Sequence, residues 1–183
     1  MLRNLLTLCL LACMAFSCKS PEARRPVKST SGSFIKESAE RNKKIYDKEQ
    51  KVIESIIAAD NANDYISSEL GFWYYYNTRD SIATQTPQVG DDVTFSYDIK
   101  MLNGDLVLSK EENGLQRYKI DQTNQELISG IRDGLKFMKE GETVTFLFPS
   151  YMAFGYYGIE NKLGTNTPIQ STVTLESITT QEN

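Results

Sequence analysis

The sequence predicts an α+β fold in which an antiparallel sheet wraps on one short helix and follows an N-terminal helix. Segments with apolar residues at every second position recur between residues 72 and 178, and one short helical segment interrupts them. A longer segment with helical periodicity precedes them. The inward row of the sheet and the apolar face of the short helix both need covering. The helix must therefore lie across one face of the sheet, which allows a cavity between them.

The composition restricts the chemistry that this chain can perform. Its 183 residues carry a formal net charge of −4, and basic residues are interleaved with acidic ones, so we expect no nucleic acid partner. The absence of histidine excludes Ser-His, Cys-His and His-ligated zinc sites. We therefore expect neither a metal ion nor a cofactor.

The N-terminus has the order of a secretory signal peptide, with an apolar run from Leu5 to Phe16 that is too short to span a bilayer. The run ends at Ser17 and Cys18, which is similar to the lipobox of bacterial lipoproteins. We predict that residues 1–17 are removed and that Cys18 carries a lipid. The alternative is an ordinary signal peptide that leaves Cys18 unmodified. The protein is thus expected in the cell envelope, anchored to the inner or outer membrane and facing the periplasm or the exterior.

Residues 18–33 have the composition of an extended tether. Its Arg24, Arg25 and Lys28 either contact anionic lipid headgroups or are simply solvated.

Residues 34–66 are predicted to hold an amphipathic helix that runs from about Phe34 to Asp60. Its apolar stripe consists of Ile45, Tyr46, Val52, Ile53, Ile56 and Ile57. This stripe is covered either by the following domain, which we favour, or by a second copy of the helix in a homodimer.

Alternating apolar positions predict the first strands. Phe72–Tyr76 is a dense aromatic strand, and Val93–Met101 alternates strictly between apolar and polar residues, which places Tyr97 on the core side. Asn103-Gly104 then predicts a type I′ turn, in which both central residues have positive φ, leading into a strand at Asp105–Ser109.

The short helix and the last strands follow. Thr123 and Glu126 resemble a capping box, and Gly141 follows the end of the helix. The apolar face of this helix consists of Leu127, Ile128, Ile131, Leu135 and Met138. Residues 143–148 alternate as a strand, and residues 172–178 form a closing strand rich in threonine.

Several short motifs occur in order between Pro87 and Ile178. They are Pro87-Gln-Val-Gly-Asp-Asp-Val, Tyr97, Asn103-Gly104, Glu126-Leu127-Ile128-Ser129-Gly130, Gly134, Met138, Gly141 and Ala153-Phe154-Gly155. In this order and spacing they resemble the FKBP-type peptidyl-prolyl cis-trans isomerase family. With the preceding helix and Cys18, the whole chain is similar to the gliding motility-associated isomerase lipoproteins. The resemblance implies an FKBP-like domain over residues 70–180 that acts on proline-containing polypeptide clients and assists the folding of exported proteins.

The resemblance also implies a prolyl pocket. Its catalytic positions fall on Tyr97, Leu127, Ile128 and Phe154, and its remaining positions fall on Val107, Leu108, Ile131, Phe148 and Ala153. Four of these residues depart from the family, which has phenylalanine, aspartate, tryptophan and tyrosine where this chain has Val107, Leu108, Ile131 and Phe154, respectively. Two hypotheses follow: a prolyl isomerase, or a catalytically weak or inactive FKBP-fold chaperone or binding module.

The family's pocket needs no acid, base or metal, because it acts by gripping the proline ring in an apolar cup. This agrees with the absence of histidine. The last strand aligns in more than one register, with Val173 and Leu175 as the candidates for the family's final aromatic position.

Overall fold

The structure, a computed structural model, describes residues 31–82, 84–122 and 127–180. The chain divides into two compact units, Met1–Glu37 and Ser38–Asn183. Within the described part of the first unit, residues 31–37 form the beginning of helix α1. The predicted signal peptide, Cys18 and the predicted capping box lie outside the described residues. Of the helices in the described ranges, none combines the length and the apolar character needed to cross a bilayer.

Within its described residues, the second unit contains an eight-stranded antiparallel sheet with short helices. Its strands are β1 (Ile66–Ser67), β2 (Trp73–Thr78), β3 (Asp92–Tyr97), β4 (Ile99–Met101), β5 (Leu106–Leu108), β6 (Gln116–Lys119), β7 (Thr143–Phe148) and β8 (Ile169–Thr179). The helices are α1 (Ser31–Ala59), α2 (Lys110–Asn113), α3 (Ser129–Leu135) and a 3-10 helix (Ser150–Met152). The strand order is β1-β2-β7-β8-β3-β6, while β4 pairs with β8 and β5 pairs with β4. The predicted α+β class is confirmed.

Helix α3 packs closely on the sheet because two of its residues are glycines. A Cβ atom at Gly130 would lie 2.6 Å from the ring of Phe148, and one at Gly134 would lie 2.9 Å from the ring of Phe146. Both phenylalanine rings are fully buried and stack on each other with centroids 5.3 Å apart. Burial of such a ring stabilises a fold by about 1.5–3 kcal/mol, so α3 and β7 form the centre of the core.

The part of α1 in the second unit packs on its own domain, as favoured above. Ile53 is fully buried, and Tyr46 is half-buried with its ring edge-to-face on Tyr151 at 5.6 Å. Val52 of the predicted stripe is 42% exposed, so the covered face is narrower than the apolar pattern. The homodimer stays a prediction.

The strand predicted over Val93–Met101 was wrong at Asp98. This residue is buried and interrupts the run, so that β3 and β4 are separate strands. Its carboxylate accepts a hydrogen bond from the Thr172 backbone N–H at 2.8 Å and pairs with the Lys100 ammonium at 2.9 Å. These partners satisfy a charge that strict alternation would have left in solvent.

The turn after β4 also differs from the prediction. The hairpin joins β4 and β5 as expected, but positive φ occurs at Gly104 (φ 93°) and not at Asn103. The Gly104 N–H donates to the Met101 carbonyl at 2.9 Å. This is a type I turn followed by a glycine bulge, which uses the same two residue types as the type I′ turn.

The predicted start of the short helix was also too early. Leu127 and Ile128 precede α3, which begins at Ser129. The last strand is longer than predicted, and its register is fixed by the pairs Tyr97–Val173 and Phe95–Leu175.

Candidate functional site

The nine predicted pocket residues all belong to one apolar cluster or pack against it. Three of them are buried, and we call them the floor: Val107, Ile131 and Phe148. The other six are half-buried, and we call them the rim: Tyr97, Leu108, Leu127, Ile128, Ala153 and Phe154. The fold therefore brings to a single cluster residues that are spread over more than fifty positions of the chain.

The sheet supplies one side of this cluster through its central strand β8. Ile169, at the start of β8, pairs with Phe148 on β7 and with Met101 on β4. On the far side of β4, Ile99 pairs with Leu108 of β5. Of the nine residues, Phe148 thus lies at the end of β7 and Leu108 at the end of β5.

The start of α3 and the 3-10 helix form the other side. The Ser129 hydroxyl donates to the Met152 carbonyl at 3.3 Å, which links the two helices immediately beside Ile128 and Ala153. Gly130 lies against the ring of Phe148, so this end of α3 sits directly above the floor. A larger side chain at Gly130 would push α3 away from the floor.

Tyr97 ends β3 and lies beside the core. Its ring stacks on Phe95 with centroids 5.9 Å apart, and its carbonyl accepts a hydrogen bond from the Asn113 side chain at 3.5 Å. Since Phe95 is fully buried, one face of Tyr97 is covered while the side chain stays half-exposed. Tyr97 is therefore held in place and accessible to a ligand.

The candidate site is apolar, and its nearest buried acid is already engaged. Asp98 follows Tyr97, but its carboxylate is held by Lys100 and the Thr172 backbone N–H. The rim carries leucine at position 108 and phenylalanine at 154, neither of which donates a hydrogen bond from its side chain. Apart from the Tyr97 hydroxyl, the nine side chains carry no polar atom.

Glu49 of α1 is a structural residue that the sequence analysis missed. It is 6% exposed, and its carboxylate accepts hydrogen bonds from the Ser150 backbone N–H at 2.8 Å and from the Ser150 hydroxyl at 2.7 Å. Ser150 begins the 3-10 helix that leads to Ala153 and Phe154. The available signal was an acidic residue within the apolar stripe, three residues after Tyr46 and four before Ile53.

Tyr151 of the same 3-10 helix makes two further contacts, one of them with α1. The Tyr151 hydroxyl donates weakly to the Gly71 carbonyl at 3.5 Å, while the Tyr151 ring meets Tyr46. Burial raises the pKa of Tyr151, so its hydroxyl stays protonated at neutral pH. The 3-10 helix is thus held by contacts of both Ser150 and Tyr151.

Comparison with known proteins gives a family match. The family model described as FKBP-type peptidyl-prolyl cis-trans isomerase matches residues 83–176. A curated relative, the probable FKBP-type peptidyl-prolyl cis-trans isomerase FkpA of Neisseria meningitidis serogroup B, is 27% identical over 130 residues. The match covers 71% of this chain and 46% of that protein, so the chain spans about half the length of this relative.

Two solved structures are similar to this chain in fold. The peptidyl-prolyl cis-trans isomerase of Pseudomonas syringae pv. tomato has a TM-score of 0.57 and 19% identity, covering 73% of this chain and 96% of that one. FkpA from Escherichia coli has a TM-score of 0.58 and 19% identity, covering 97% of this chain and 82% of that one. At this level of identity the two structures establish a shared fold.

Proposed function

Because the chain belongs to the FKBP-type peptidyl-prolyl cis-trans isomerase family, we propose that it accelerates cis-trans isomerisation of X-Pro bonds in polypeptide clients. The observation that carries this proposal is the single apolar cluster that unites the nine predicted pocket residues, with six of them left half-exposed as a rim. A partly open apolar cup of this kind suits a proline ring.

The proposed mechanism is selective binding of the twisted amide. Peptide resonance creates a barrier of about 18–20 kcal/mol to rotation, and twisting removes both the resonance and much of the charge separation of the amide. A dry apolar cup disfavours the planar, polar ground state more than the twisted transition state. In this proposal two floor residues, Ile131 and Phe148, contact the proline ring. Tyr97 and Ile128 hold the flanking peptide.

Leu108 and Phe154 favour a second candidate function, a chaperone or binding module with weak or no isomerase activity. Both side chains are half-buried at the rim and carry no polar atom. An aspartate and a tyrosine at these positions would each contribute about 1–3 kcal/mol of orienting interaction with the substrate. Their loss weakens orientation but leaves the cup itself.

We further propose that the protein works in the cell envelope on exported clients. The proposal is supported by the signal-like N-terminus and by Cys18, which we assign as the lipid-anchored residue. A role in gliding motility is supported by the sequence resemblance described above. Mass spectrometry of the protein purified from membranes tests the anchor. A diacylglycerol adduct on an N-terminal Cys18 supports it, and an unmodified cysteine contradicts it.

Isomerase activity is tested on proline tetrapeptides with the full chain purified in detergent. We expect acceleration by the wild type and at least a tenfold loss in kcat/KM for the double variant Tyr97→Ala, Ile128→Ala, which corresponds to about 1.4 kcal/mol of transition-state stabilisation. The matched control is Ile82→Ala, because Ile82 is 88% exposed and outside the cluster. Unchanged activity in the double variant would contradict the assigned site.

Restoring variants separate the two candidate functions. Leu108→Asp combined with Phe154→Tyr returns the polar groups to the rim. If the wild type is active, the isomerase proposal holds without them. If the wild type is inactive and the double variant gains activity, the chain is a chaperone or binding module with the FKBP fold.

A further inference from the structure

A second cleft lies between α1 and the segment that follows β7. It has a volume of about 530 Å³, within the size range of ligand-binding sites. Its lining includes Asn42, Tyr46, Glu49, Tyr151, Tyr156 and Asn166. An adjoining cleft of about 290 Å³ shares Glu49 and Asn166 and continues past Val52 to Pro168. The two clefts form one groove beside α1 from residue 42 to residue 52.

The groove combines aromatic surface with positive charge. Tyr151 and Tyr156 are 55% and 75% exposed, although they line it. Lys43 and Lys48 also line it, and neither forms an ion pair within the described part of the chain. The one acidic group in the lining, Glu49, is buried against Ser150. The groove therefore complements a ligand that has apolar side chains and carboxylates.

The groove and the candidate prolyl site share one segment of the chain. Phe148, Ala153 and Phe154 pack on the apolar cluster, while Tyr151 and Tyr156 from the same segment line the groove. The candidate site and the groove are thus joined through this one segment of the chain.

We propose that this groove binds the stretch of the client polypeptide next to its proline, in extended form, with a preference for acidic and aromatic residues. The inference rests on the proposed function. The ten steps of helix from position 42 to position 52 rise about 15 Å. An extended chain advances about 3.3 Å per residue, so the groove accommodates about five client residues. Clients would then be selected by the sequence around the proline as well as by the X-Pro bond.

A second copy of the chain is a poorer occupant for the groove. From residue 41 to residue 51, α1 carries five basic residues and two acidic ones, and one of the acids, Glu49, is buried. Two copies of this segment facing each other would place like charges together, which opposes association. An acidic client segment meets no such repulsion.

The test measures binding of three peptides to the full chain purified in detergent. One is a proline tetrapeptide, and the other two extend it by about five residues on each side, with either Asp, Glu and Phe or Lys and Ala. We expect the acidic peptide to bind most tightly and to lose affinity with added salt. Lys43→Glu with Lys48→Glu should weaken the acidic peptide about fivefold and leave the tetrapeptide unchanged.

Two further variants test whether the effect is specific to residues that line the groove. Lys44→Glu with Lys51→Glu makes the same change of charge on the same helix at residues that do not line the groove, and should alter binding of the acidic peptide less than twofold. Tyr156→Ala should weaken both extended peptides and spare the tetrapeptide.

These binding measurements test the groove independently of whether the protein isomerises proline peptides. Selective loss in the lining variant supports the groove even if no peptide is isomerised. Equal affinity of the wild type for all three peptides, or equal losses in the two lysine double variants, overturns it. So does a dimer by light scattering that the lining variant dissociates, because the groove would then be an interface between copies.

Discussion

Replacing Glu49 by alanine is expected to lower the free energy of unfolding by about 2–4 kcal/mol, because a charged acceptor of two hydrogen bonds is lost from a buried position. Both bonds come from Ser150, at 2.8 Å from its backbone N–H and 2.7 Å from its hydroxyl. Each hydrogen bond to a charged group contributes about 1.5–3 kcal/mol. Some of that sum is recovered if water reaches the space left by the side chain. Glu49→Gln keeps one acceptor oxygen, so about half of the loss is expected.

Urea unfolding of the full chain measures this change through Trp73, the single tryptophan, which lies on β2 opposite Leu147 of β7. The control is Glu54→Ala, because the Glu54 carboxylate makes an exposed hydrogen bond to the Gln50 side chain and its loss should cost under about 0.5 kcal/mol. Equal unfolding free energies for the Glu49 and Glu54 variants would refute the anchoring of α1 through this carboxylate.

Two further predictions concern packing and pH. Gly130→Ala should destabilise the fold by about 1–3 kcal/mol by pressing on the Phe148 ring, while Gly164→Ala, whose nearest contact would be 3.4 Å, should change stability little; equal thermal midpoints for the two variants would contradict the close approach of α3. Hydrogen bonds from the Asn63 side chain, the Ala62 backbone N–H and the Tyr65 hydroxyl lower the pKa of Asp60. The contribution of Asp60 to stability should therefore be fully present above the ordinary aspartate pKa and be lost as pH falls through the lowered pKa. Urea midpoints at neutral and acidic pH should therefore differ more for the wild type than for Asp60→Asn, and parallel pH profiles would contradict this.

Local patterns were sufficient to predict much of the fold. The hairpin at Asn103-Gly104 was predicted from residue types that favour a tight turn, and β7 from its alternation. The close contacts of Gly130 and Gly134 with the sheet explain why small residues occur within α3. The hairpin and β7 depend on neighbours in the chain or on a simple period, so a single sequence carries them, whereas the contacts of the two glycines with the sheet are tertiary.

The burial of polar groups could not be predicted from these local patterns. Asp98 occupies an outward position in the alternating pattern, yet it is buried because Lys100 and the β8 backbone satisfy its carboxylate. Likewise, the sequence contains the residue types for either turn after β4, and the φ value at Asn103 decided between them. Periodicity predicts which side of a strand is covered, but not where a partner allows an exception.

What the sequence by itself determined was the family, because the order and spacing of short motifs identify it; the pocket positions that the resemblance implies stay a prediction. What only the tertiary structure decided was which distant residues meet. Glu49 and Ser150 are separated by 101 positions and nevertheless share two hydrogen bonds. No local pattern encodes such a pairing, since it arises only when α1 packs against the 3-10 helix that follows β7.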